Sequence, residues 1–136
     1  MDILIDASAI MAVILNESNK AKVLKMTKNS TLLSPEVISF EIGNALVNLY
    51  KKRKITESKL FDAYDAFNSI PIRNVKIDIE KALKIACKYE IYAYDAYYLE
   101  AANRLKLPLI TFDGLMKKTG MNLKISVIDN IIEEEE

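Results

Sequence analysis

Apolar positions along the chain fall into two kinds of run. Ile3 to Ile5, Leu32 to Leu33, Leu109 to Phe112 and Ser126 to Ile128 are short and aliphatic or β-branched, as strands buried on both faces of a parallel sheet are. The segment around Ile70 to Val75 adds a further candidate strand. Longer stretches between them carry helix signals. Ser34 and Pro35 read as N-cap and first helical residue of a helix running to about Lys52, because a hydroxyl can accept a free backbone N–H and proline has none to leave unpaired. Thr56 and Asp78 read as caps of helices reaching about Asn68 and Tyr89. A last long helix is expected from about Asp95 to Leu105, ended before Pro108. No repeat and no linker interrupts the pattern. Strands alternating with helices of this length require right-handed crossovers. The expectation is an α/β fold of three layers, α/β/α, around a mostly parallel sheet of four to five strands. In such sheets ligands bind beyond the carboxyl ends of the strands, where the strand order reverses.

Composition narrows the chemistry. The 136 residues suit one domain, expected over 1–132 with an acidic tail at 133–136. The chain has no His and one Cys, Cys87. Serine and cysteine nucleophiles activated by His, His-ligated zinc and His acid–base chemistry are therefore excluded. A lone thiol forms no internal disulfide and is expected here as a small buried hydrophobe. Nineteen basic and nineteen acidic residues balance, but four of the acids are Glu133 to Glu136; the remaining fifteen leave the body four positive charges in excess. That is too little for a general nucleic-acid coat. The opening run to Leu15 is apolar yet carries Asp2 and Asp6 and no basic residue. It reads as neither a leader nor a membrane span, so a cytoplasmic protein is expected.

Carboxylates remain as the reactive groups. Asp6 follows the first strand, Asp113 follows Leu109 to Phe112 and precedes Gly114, and Asp95 opens the last long helix. Each can be explained as a helix cap, or for Asp113 as an Asp-Gly turn. Glu41 is different. At 100° per residue Val37, Ile38, Ile42, Ala45, Leu46 and Leu49 form one apolar arc, and Glu41 falls inside it with Asn44 and Asn48 at its edge. An ionised carboxylate there must be protonated, paired with a buried Lys or Arg, or bound to a cation. If the four acids converge, hard oxygen donors of this kind suit Mg²⁺ or Mn²⁺ better than zinc.

The segments Asp6-Ala7-Ser8-Ala9, Phe40-Glu41-Ile42-Gly43-Asn44-Ala45-Leu46, Tyr94-Asp95-Ala96-Tyr97-Tyr98-Leu99 and Leu109-Ile110-Thr111-Phe112-Asp113 resemble, in order and over nearly the whole chain, the four blocks of the PIN domain. The VapC-type toxins are the most similar group. The resemblance implies a Mg²⁺ or Mn²⁺ site formed by Asp6, Glu41, Asp95 and Asp113 that hydrolyses RNA. Asp113 would act directly or through water, Ser8 and Thr111 as supporting hydroxyls, and Asn44 as a polar neighbour. It also implies in-line attack by water leaving 5′-phosphate and 3′-hydroxyl ends, a homodimer, and a small antitoxin whose tail enters the acidic groove.

Other features admit two explanations each. Lys51, Lys52, Arg53 and Lys54 either grip RNA phosphates or complement a helix dipole at a solvated end. Five of the seven Tyr lie between Tyr89 and Tyr98 and either stack on unpaired bases or fill the core. Glu100 projects about 140° away from Asp95 on the helix and is left out of the site. Three rivals remain. An aspartyl-phosphate phosphatase needs a second Asp where this chain has Ser8. A receiver module needs paired acids after the first strand and a Lys after the last. A PIN fold that binds RNA or protein without cutting would have no need to keep all four acids.

Overall fold

Ile3, Leu4 and Ile5 have no exposed surface, which only a strand covered on both faces and flanked on both edges achieves. They form β1 (Asp2–Ile5), paired in parallel with β2 (Thr31–Pro35) on one side and β4 (Leu109–Ile110) on the other. At roughly 2 kcal/mol per fully buried aliphatic side chain, these three residues anchor the core. β3 (Ile72–Val75) extends the sheet beyond β2, giving the order β3-β2-β1-β4 with every pair parallel. The structure, a computed structural model, describes residues 1–128. The acidic tail expected at 133–136 lies outside the described residues.

Seven helices connect and follow these strands among the described residues. They are α1 (Ala7–Ile14), α2 (Lys20–Met26), α3 (Val37–Lys51), α4 (Glu57–Ser69), α5 (Ile79–Tyr89), α6 (Ala93–Leu105) and α7 (Gly114–Asn122). The chain steps outward from β1 to β2 to β3 through α1 to α4, then returns over β2 and β1 through α5 and α6 to β4. Right-handed crossovers in opposite directions put these two helix groups on opposite faces of the sheet. The contacts agree: α1 packs on α2, α3 and α4, while α6 packs on β1, β2 and α5. The reversal of strand order falls between β1 and β4.

Several boundaries differ from the expectation. Ser34 and Pro35 end β2 instead of opening α3. The Ser34 hydroxyl is fully buried and donates to the Ile5 carbonyl at 2.9 Å, so it serves the neighbouring strand and not a helix end. Pro35 occupies the last ladder position, opposite Val75. α3 starts at Val37 behind Glu36, which makes no side-chain cap. α6 starts at Ala93, two residues before Asp95. β4 is shorter than the apolar run, and Ser126 to Ile128 contributes an isolated parallel bridge, Val127 to Leu109. Cys87 is exposed, not buried. α5 buries only Ala82, and Cys87 lies five residues on, about 140° around the helix.

Candidate active site

The carboxyl ends of β1 and β4 meet where the strand order reverses, and both turn into helices capped by aspartate. Asp6, directly after β1, takes an extended conformation (φ −99°, ψ 176°), and its Oδ1 accepts the Ala9 N–H at 3.1 Å to start α1. Asp113 does the same for α7, accepting the Met116 N–H at 2.8 Å. The capping explanation is therefore correct for both residues. It does not exhaust Asp6, which is only 3% exposed and accepts two further bonds. The Ser8 hydroxyl donates to its Oδ1 at 2.7 Å and the Thr111 hydroxyl to its Oδ2 at 2.5 Å. Each hydroxyl is held from behind: Ser8 Oγ accepts the Phe112 N–H at 2.9 Å, and Thr111 Oγ1 accepts the Asp113 N–H at 3.0 Å. Ser8 and Thr111 thus lock the β1 corner to the β4 corner through the carboxylate between them.

Burial raises the Asp6 pKa, with Asp113 adding repulsion, and the three hydrogen bonds offset only part of this. Glu41 enters from α3, whose Ile38, Ile42 and Leu46 are buried beneath it. Desolvation raises its pKa, and Asp95 and Asp6 raise it further. No Lys or Arg among the described residues forms an ion pair with Glu41, Asp6 or Asp95, so the buried-cation explanation of Glu41 has no support. Asp95 stands in the first turn of α6 and is not its cap. Its carboxyl is pushed up to about 6, by burial first and then by Asp113 and Asp6. Asp113 thus acts on Asp6 and Asp95, and Asp6 and Asp95 act on Glu41, which links the four acids electrostatically.

Tyr98, one turn after Asp95, was not singled out by the sequence as part of a site. It is 1% exposed, and burial together with the charges of Glu41, Asp6 and Asp95 raises the pKa of its hydroxyl. Although Tyr98 and Glu41 influence each other as donor and acceptor, neither the hydroxyl nor Glu41 Oε1 has a hydrogen-bond partner of normal geometry. The i to i+3 spacing from Asp95 was the available signal.

Other candidates fall elsewhere. Asn44 is exposed on α3, one turn beyond Glu41, without a hydrogen bond to the acids among the described residues. Lys51, Lys52, Arg53 and Lys54 are exposed at the far end of α3, about 15 Å along the axis from Glu41 at 1.5 Å per residue. Glu100 is buried and paired with Arg104 at 2.6 Å, outside the cluster. Tyr92 and Tyr94 are 80% and 54% exposed beside Asp95.

Oxygen donors without His or thiolate, three of them with pKa raised by burial and then by neighbouring acids and one of these, Glu41, with a buried unpartnered oxygen, fit a hard divalent cation. Among the described residues, no three of them are gathered closely enough to hold an ion as they stand.

The model of the PIN domain family matches residues 3–121. Among solved structures, the chain is similar to PAE2754 from Pyrobaculum aerophilum, with a TM-score of 0.63, 20% identity, and coverage of 91% of this chain and 98% of that one. It is also similar to VapBC2 from Rickettsia felis bound to a DNA fragment from their promoter, with a TM-score of 0.63, 13% identity, and coverage of 94% and 98%. Both likenesses are of fold. No curated protein matches the chain.

Proposed function

Because the chain belongs to the PIN domain family, we propose that it is a divalent-metal-dependent ribonuclease, the VapC-type toxin of a toxin–antitoxin pair. The observation that supports this reading is the electrostatic coupling that links Asp6, Glu41, Asp95 and Asp113, three of them with raised pKa and without a cationic partner among the described residues. The four carboxylates would hold Mg²⁺ or Mn²⁺, with bound waters completing the shell of an ion that dehydrates reluctantly. Such an ion supplies the acidity that turns water into a nucleophile at neutral pH and the charge that stabilises the leaving oxygen. Ser8 and Thr111 keep Asp6 oriented and ionisable by donating to both its oxygens.

The groove itself repels a polyanion, so RNA must be drawn by the ion and by groups at the rim. Tyr92 and Tyr94 offer exposed rings beside Asp95, suited to stacking on unpaired bases. Lys51, Lys52, Arg53 and Lys54 stand far enough away to meet a strand only several nucleotides from the cut. A basic antitoxin tail would use the same carboxylates, its Arg or Lys forming charge-assisted pairs there and excluding the ion. Exposed Phe40, Val47, Phe61 and Tyr64 on α3 and α4 supply apolar surface of the kind a second copy covers.

A second reading, a PIN domain that binds without cutting, is favoured by the spacing of the acids. Incubation of single-stranded RNA with Mg²⁺, Mn²⁺ or a chelator, followed by end analysis, separates the two. Metal-dependent cleavage leaving 5′-phosphate and 3′-hydroxyl ends, lost in Asp6→Asn, is expected. RNA binding with no cleavage under any divalent ion would overturn the nuclease reading.

A further inference from the structure

Tyr98 packs its ring into the core among the buried residues of β1 and α6, where phenylalanine would serve equally well for packing. The hydroxyl is the part that needs an explanation. It is buried and unpartnered, and so is Oε1 of Glu41 on α3. A phenol at neutral pH carries one proton to donate, while an ionised carboxylate only accepts. Each influences the other as donor or acceptor, so the two unmet groups are of opposite kind and complementary. Asp95 lies three residues before Tyr98, so the acid and the hydroxyl share one side of α6.

We propose that Tyr98 is a positioning residue of the metal site: its hydroxyl holds one oxygen of the Glu41 carboxylate so that the group faces Asp6 and Asp95 as the cation enters. The proposal rests on the metal-site reading given above. Tyr98 touches neither the ion nor the RNA; it acts through Glu41, in the way groups hydrogen-bonded to metal ligands set ligand orientation and affinity elsewhere.

The test is Mn²⁺ binding followed by the electron paramagnetic resonance signal of the free ion, for the parent, Tyr98→Phe, Glu41→Gln and the double variant, with melting curves in chelator as a control. Tyr98→Phe should weaken Mn²⁺ binding about tenfold without lowering the melting temperature of the metal-free protein, because the ring stays and a buried unpartnered hydroxyl is removed. In the Glu41→Gln background the same change should alter affinity less than about twofold, since the two residues act as one unit. Unchanged affinity in Tyr98→Phe, or an equal loss with and without Glu41, would overturn the positioning role while leaving the metal site standing. A parent that binds no Mn²⁺ would overturn both.

Discussion

Asp95→Asn should stabilise the metal-free protein at neutral pH, although it removes an acid proposed to be essential for activity. The Asp95 carboxyl is raised from an ordinary 3.8 to about 6 in the fold. The folded state therefore binds its proton more tightly than the unfolded state does. Below pH 3.8 the group is protonated in both states and carries no penalty. Stability is lost as pH rises from 3.8 to about 6, and the full penalty persists above that. A shift of this size corresponds to about 3 kcal/mol; solvent access at a partly exposed side chain reduces it to about 1.5 kcal/mol. Asn also gives up the favourable interaction of an acid with the first turn of α6, about 0.5 kcal/mol. The net gain is about 1 kcal/mol at pH 8, or roughly 3–5 °C in melting temperature for a chain of this size. Urea unfolding of parent and variant in chelator at pH 8, 6 and 4 measures it. The variant should be the more stable at pH 8 and lose the advantage by pH 4, and added Mn²⁺ should reverse the order by stabilising the parent alone. An Asp95→Asn variant less stable than the parent at pH 8, or a difference that ignores pH, would refute the claim that burial and the neighbouring acids penalise the Asp95 charge in the folded state.

Thr111→Val keeps the shape of a buried side chain but removes the donor to Asp6 Oδ2 and the acceptor of the Asp113 N–H. Denaturation should register a loss of about 2 kcal/mol, together with weaker Mn²⁺ binding. Arg104→Ala leaves Glu100 buried without its 2.6 Å partner and should cost about 2 kcal/mol, discounted for the one-third exposure of the arginine. Its Mn²⁺ affinity should match the parent's, because Glu100 lies outside the site.

The parts of the fold that announced themselves in the sequence were those in which one residue type answers one physical demand. The apolar triplet of β1 had to be central, and Glu41 inside an apolar helical arc had to face other groups. Thr56 and Asp78 cap α4 and α5 where they were expected. Ser34-Pro35 misled because the pair satisfies a helix start and a strand end equally well, and only the distant Ile5 carbonyl decides between them. α2 buries Val23 alone and α7 is built on Gly114 and Gly120, so neither leaves a strong apolar period. The acids were legible one at a time, each as a cap or a ligand. Their convergence depends on strand order, which no local pattern encodes. Tyr98 and Glu41 lie 57 positions apart in sequence on different helices, and no local pattern links them.

The central claim, that Asp6, Glu41, Asp95 and Asp113 form one cation site, is tested most directly by anomalous diffraction from crystals soaked in Mn²⁺. A peak is predicted among the four carboxylates, bonded at about 2.1 Å to oxygens of at least two of them and absent from crystals of the Asp6→Asn, Asp95→Asn double variant. A parent crystal whose Mn²⁺ lies elsewhere, or which takes up none, would contradict it.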